Sequence, residues 1–159
     1  MPATHPYFRA VLPDAERATI VDTLRAAIPG VKAIYLFGSR AGAGEYAVAD
    51  SDYDIGFYAG HLPTLGEVER FALAGRLAGE LRAASVDLVD AGTVPDHFLR
   101  TQVIDGDRLW CDQTPEVATW EAKSLTMAND FYLSTRELRE YDLRVIRDRH
   151  AARNRRPQE

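Results

Sequence analysis

VKAIYLFGSRAGAGEYAVADSDYDIGFY, residues 31–58, is the stretch on which the fold turns. Its opening run, Val31 to Phe37, is short, β-branched and aromatic and stops at a glycine, as a mostly buried strand does. Residues 38–51 hold three glycines and keep no period, so they read as an irregular connection. Residues 52–58, DYDIGFY, then alternate as a second strand. Strand residues two apart share a face, so Tyr53, Ile55 and Phe57 point one way and Asp52, Asp54, Gly56 and Tyr58 the other. The apolar trio fixes the register against a core. The face carrying two adjacent carboxylates must open on a cleft or on water, because like charges this close need a cation between them or a proton on one.

The flanks supply the rest of a small fold. Upstream, Pro13 and Asp14 start a helix whose apolar positions Val21, Leu24 and Ile28 recur until Pro29-Gly30 stops it. Downstream, residues 65–82 carry Leu65, Val68, Phe71, Ala72, Leu77, Ala78 and Leu81 on a helical period. SVDLVDAG, residues 85–92, reads as a third strand, residues 95–106 as a short helix closed by Gly106, and DRLWC, residues 107–111, as an extended piece. Thr114-Pro115 opens a long helical region running to about Arg149 with a break near Ser134. No repeat or linker interrupts the chain. The expected class is α+β: a small mixed sheet with helices packed on one side and a C-terminal helical region. Residues 1–159 are expected to form a single domain with a helical extension at about 114–150 and a basic tail, 151–159, that frays.

The composition suits one domain with one core: 159 residues, 46% hydrophobic and 27% charged, which excludes a fibre or a disordered tail. A net charge of -5 argues against direct binding to nucleic acid. The charge is uneven, since residues 143–159 hold six arginines against Asp148 and Glu159. Those arginines suit a solvated helix end, with docking onto an acidic partner as the sharper alternative. A single cysteine, Cys111, permits neither an internal disulfide nor a thiolate zinc cage and reads as a small buried hydrophobe. With no leader-like N-terminus and no apolar run of membrane length, the expected setting is the cytoplasm.

Three features combine into a candidate site. Asp52 and Asp54 suit magnesium, a hard cation that takes one or two protein carboxylates and completes its shell with water and phosphate. Asp87 adds a third acid in a strand otherwise apolar at Val86, Leu88 and Val89, so that three carboxylates on neighbouring strands can share a pair of ions roughly 3.5–4 Å apart. Gly38-Ser39, where a buried strand meets a glycine-bearing loop, offers backbone amides and a hydroxyl to a phosphate. Each element alone is weak, for Asp105-Gly106-Asp107 is also an Asp-x-Asp and reads as a solvated turn. Their order along the chain is restrictive. Arg40 could meet a phosphate, although a solvated loop arginine is as common. His5, His61, His97 and His150 show no ligand spacing, and Trp110, Trp120, Phe131 and Tyr132 read as core or partner surface.

The segments YLFGSRAGAGEYAVADSDYDIGFY and VDLVDAG resemble the minimal nucleotidyltransferases of the DNA polymerase β superfamily. The stretch PDHFLRTQVIDGDRLWCDQTPEVATWEAKSLTMANDFYL is similar to MntA-family antitoxins, partners of HEPN-domain RNase toxins. The resemblance covers roughly residues 15–148 and implies a reaction, transfer of AMP from ATP to a tyrosine hydroxyl of the toxin, within a hetero-oligomer. By matched motif it implies that Gly38 and Ser39, with Arg40 beside them, hold the nucleotide, and that Asp52, Asp54 and Asp87 are catalytic and bind Mg2+, two ions in the family pattern. One departure stands out: residues 40–51 place twelve residues between the serine and the first aspartate, where the family pattern has ten. Two other functions remain open: a small-molecule nucleotidyltransferase of the aminoglycoside-modifying kind, and a non-catalytic antitoxin acting by complex formation alone.

Overall fold

A computed structural model describes residues 12–41, 52–136, 140–141, 143–145 and 147. The irregular connection over 42–51, the N-terminal segment with His5, and the tail with His150 lie outside them. Helix α1 (Asp14–Ala27) leads into strand β1 (Ala33–Phe37) and a single tight turn at Gly38–Arg40. Then follow β2 (Tyr53–Tyr58), α2 (Glu67–Leu81), β3 (Val86–Asp90), α3 (His97–Ile104), β4 (Asp107–Cys111) and α4 (Pro115–Ser134). The break expected near Ser134 is where α4 ends.

The sheet is mixed, in the order β3-β2-β1-β4. β1 is antiparallel to both β2 and β4, while β2 and β3 run parallel with α2 as the crossover between them. Alternation in β1 and β2 divides the core in two. Ile34, Leu36, Ile55 and Phe57 face α1 and α2, meeting Ile20, Leu24, Ile28, Leu73 and Leu77. Those two helices are the layer expected on one side of the sheet. The C-terminal helices lie on the opposite face, where Tyr35, Phe37 and Tyr58 meet Val103 of α3 and Val117 and Trp120 of α4. Tyr58 and Trp120 stack with ring centroids 4.2 Å apart. Lys32 and Tyr58 both bond Glu116 at the start of α4, and Tyr35 donates to Glu121 at 2.7 Å. α4 is thereby tied to the sheet by polar tips above an aromatic floor.

The two sheet edges are treated differently. At β4 the Arg17 guanidinium of α1 donates to the carbonyls of Arg108 at 3.0 Å and Leu109 at 2.9 Å, so a side chain satisfies two carbonyls of that strand. β3 ends the sheet on the other side, and among the described residues no strand pairs with its outer edge.

Three readings change in detail. Val68 and Phe71, placed on the helical apolar face, are each 83% exposed and Ala72 is exposed too, and α2 is buried through Leu77 of that face together with Leu73 and Ala74. The reason is the sheet edge, for the first turns of α2 flank an open groove beside β3 instead of covering a strand. α3 is closed by Asp105 in right-handed helical conformation, while Gly106 serves a close approach: a Cβ there would lie 2.3 Å from the Leu36 carbonyl oxygen. Cys111 is half-buried against the α4-side core, its Sγ accepting from the Gln113 N–H at 3.2 Å.

Candidate active site

The sheet brings the candidate residues to one end by register. Phe37, the last residue of β1, is opposite Asp54 in β2, and Asp54 is opposite Asp87 in β3. Gly38 follows Phe37 directly, so the acids and the turn meet across three adjacent strands. The fit is close at Gly38, whose φ is +70° and whose α-carbon leaves room only for hydrogen, since a Cβ would stand 2.1 Å from Asp54 Oδ2 and 2.9 Å from its Cγ. Glycine is needed here twice over, for the left-handed backbone and for the carboxylate lying against it.

Gly38, Asp54 and Asp87 line one cleft of about 510 Å3, together with Phe37, Leu99 and the α3 terminus. The two-residue alternation of β2 holds at this end: Asp54 is half-buried on the cleft side while Tyr53 is buried on the other. Farther along, the same face is covered, because Val103 packs on Gly56 and Trp120 on Tyr58. Only the Asp54 end of the acidic face therefore opens on a cleft. Asp52 lies just before β2, exposed, and Ser39 is exposed on the turn; neither is part of the cleft wall. Arg40 turns to the α1 side, its guanidinium 4.0 Å from the centre of the Tyr53 ring, and Tyr53 in turn donates a hydrogen bond of 2.5 Å to Glu16.

The electrostatics follow from this crowding. Asp54 is pushed above the ordinary carboxylate range, first by burial and then by the charges of Asp87 and Asp52. The expense expected of an acid within the third strand does not fall on Asp87, which is exposed at the sheet edge. It falls on Asp90, which is 4% exposed, raised above its ordinary range by burial, and accepts the Gly92 N–H at 3.1 Å. Among the described residues no three His, Cys, Asp or Glu side chains converge tightly enough to cage a cation alone. The pair Asp54 and Asp87, with Asp52 at the rim, still fits a magnesium ion, whose shell is ordinarily completed by water and phosphate oxygens. A cation held there would offset the part of the Asp54 shift that comes from the charges of Asp87 and Asp52.

Sequence spacing missed Gln102 and Asp105, which line the cleft from the end of α3. The Asp105-Gly106-Asp107 stretch, read as a solvated turn, is not one: only Asp105 is exposed, Gly106 and Asp107 are half-buried because Gly106 lies against the Leu36 carbonyl and Asp107 opens β4, and Asp105 borders the site. Nothing within 31–58 signals it, since Asp105 reaches the cleft only because α3 crosses the β1-β2 face.

The polymerase beta nucleotidyltransferase model matches residues 19–115, which contain every residue of the cleft. The chain belongs to this family. Protein adenylyltransferase MntA of Shewanella oneidensis is 36% identical over 94 residues, covering 59% of this nucleotidyltransferase and 64% of the relative's length. A solved toxin-antitoxin structure with AMP-PNP is 30% identical with a TM-score of 0.68, covering 80% of this chain and 98% of the other. A second, the tri-AMPylated Shewanella oneidensis HEPN toxin in complex with its MNT antitoxin, is 29% identical at a TM-score of 0.66, covering 81% and 97%. No helix among the described residues of the nucleotidyltransferase is long and apolar enough to cross a membrane.

Proposed function

We propose that this nucleotidyltransferase is an antitoxin that transfers AMP from ATP to a tyrosine hydroxyl of a cognate HEPN-domain toxin, with which it forms a hetero-oligomer. The observation that carries the reading is the meeting of Gly38, Asp54 and Asp87 in one cleft, two carboxylates against the turn that would receive a phosphate. Relatives described as MntA and as AMPylated HEPN toxin complexes support the choice of nucleotide and acceptor.

In this reading the Gly38-Ser39 turn receives the triphosphate, with backbone N–H groups and the Ser39 hydroxyl directed at phosphate oxygens. Asp52, Asp54 and Asp87 would hold Mg2+, two ions by family pattern, which would supply neutralisation of the charge building on the phosphates. The tyrosine oxygen forms a bond to the α-phosphorus while the bond to the bridging oxygen of pyrophosphate breaks, and pyrophosphate leaves with that electron pair. Asp87, the exposed acid, accepts the tyrosine proton and releases it to water. Arg40, stacked on Tyr53, steadies the turn that carries Ser39 rather than the nucleotide itself.

Co-expression with the toxin tests the proposal. Wild-type protein is expected to restore growth and to leave AMP on a toxin tyrosine by intact-mass and peptide analysis, and the Asp52→Asn plus Asp54→Asn variant is expected to do neither. Rescue by that variant with unmodified toxin would replace transfer by simple complex formation. Label on a small molecule in place of protein would replace the acceptor.

A further inference from the structure

A second hollow adjoins the cleft. A groove of about 810 Å3 runs along the outer edge of β3, unpaired among the described residues, and shares Asp87 and Leu99 with the cleft. It is lined by β3 residues of both faces, Val86 and Leu88 from one and Asp87 and Val89 from the other, so it wraps over the strand edge. One bank is the start of α2, where Val68 and Phe71 stand 83% exposed, and the other is the Val94-Pro95 connection into α3. Two large apolar side chains held in water beside an unpaired strand edge are a liability unless something covers them.

The order of the strands says what arrives there. The phosphate-receiving turn follows β1, Asp54 is on β2 between, and Asp87 is on the outermost strand β3. Displacement at phosphorus is in line, with the attacking oxygen entering opposite the departing pyrophosphate. With the pyrophosphate toward the Gly38-Ser39 turn, the attacking hydroxyl must come from beyond Asp87, over the β3 edge. We propose that this groove is the docking site for the tyrosine-bearing segment of the acceptor protein, laid in extended form along β3 with apolar neighbours of the tyrosine against Val68 and Phe71. The inference rests on the adenylylation reading above. A strand edge supplies main-chain hydrogen bonds and the flanking side chains supply selectivity, the usual division in strand addition.

Phe71→Asp and Val68→Asp test it, because both side chains are exposed and neither belongs to the candidate catalytic residues. Leu133→Asp, 56% exposed on α4, is the control on the other apolar surface. The readouts are initial rates of labelling of the purified toxin, affinity for a fluorescent ATP analogue, and the thermal midpoint. Each groove variant is expected to raise KM for the toxin about 5- to 30-fold, the range for losing one apolar anchor, with kcat, nucleotide affinity and midpoint unchanged. Unchanged toxin KM in both groove variants overturns the proposal, as does a rise confined to Leu133→Asp, which would seat the toxin on α4. Wild-type protein that binds nucleotide but labels no toxin removes the adenylylation reading and the groove assignment with it.

Discussion

Gly38→Ala and Gly30→Ala form a matched pair that isolates the contact at the heart of the site. Both glycines have left-handed backbones, φ +70° at Gly38 and φ +67° at Gly30, so alanine at either position incurs about 1–2 kcal/mol of conformational strain. Only the surroundings differ. An added Cβ at Gly30 meets nothing within 4 Å, whereas at Gly38 it meets Asp54 Oδ2 at 2.1 Å and Cγ at 2.9 Å, and the carboxylate has to swing away. Forcing such a shift in a packed site costs about 1–3 kcal/mol beyond the shared strain. Moving a catalytic group by about 1 Å lowers turnover roughly 100-fold. Urea unfolding followed by circular dichroism, together with toxin-labelling rates, is therefore expected to show Gly38→Ala less stable than Gly30→Ala by that margin and about 100-fold slower. Asp54→Ala removes the two clashing atoms and leaves only a Cβ at 3.2 Å, so in that background the stability difference between the two alanines is expected to close. Equal stability and equal activity of the two single variants, or a difference that persists without the Asp54 carboxylate, would refute the contact.

Other expectations follow from the same geometry. Asp54 holds its proton above the ordinary carboxylate range when folded, so stability in magnesium-free buffer falls as pH rises from the unfolded value, about 3.9, through the higher folded one; Asp54→Asn is expected to flatten that fall and raise the thermal midpoint at neutral pH while removing transfer activity. Magnesium with an ATP analogue is expected to raise the wild-type midpoint and chelator to reverse it, at about 2.7 kcal/mol when ligand is at 100 times its Kd, with no such rise in the Asp52→Asn plus Asp54→Asn variant. Burial and hydrogen bonds to Glu16 and Glu116 push Tyr53 and Tyr58 up to about 12, so stability is full below the ordinary tyrosine value of 10.0 and is lost as pH rises from 10.0 toward 12; tyrosinate absorbance is expected to appear together with loss of tertiary circular dichroism. Trp120→Ala removes the ring stacked on Tyr58 and tilted against Tyr35 and is expected to destabilise by about 3–5 kcal/mol in urea unfolding.

The fold was legible wherever a single element's pattern decided it. The alternation of Tyr53, Ile55 and Phe57 against Asp54, Gly56 and Tyr58 reads directly as two faces, and the structure divides them between the two cores. Pro115 after Thr114 marks the start of α4, although Thr114 meets that role with its N–H and hydroxyl both donating to Asp112, not by capping the helix. What sequence patterns do not carry is position in the sheet. That β3 is an edge strand explains at once why Asp87 is exposed, why Val68 and Phe71 are not core, and why the open groove lies where it does. Of the candidate site, the meeting of Gly38, Asp54 and Asp87 was legible in their order along the chain, whereas Ser39, Arg40 and Asp52 lie off the cleft wall. The other walls of the cleft were not legible, since Leu99, Gln102 and Asp105 reach the cleft through α3, a long-range packing event without a local signature.

The central claim is that Asp54 and its neighbours support transfer of AMP to a protein tyrosine, and the direct measurement is made with ATP labelled at the α-phosphate, magnesium and purified cognate toxin. The expected result is label on the toxin alone, at tyrosine, from ATP in preference to the other nucleoside triphosphates, and absent with the Asp52→Asn plus Asp54→Asn variant. Toxin that stays unlabelled while bound to wild-type protein and nucleotide, or label that persists without the two aspartates, would contradict it.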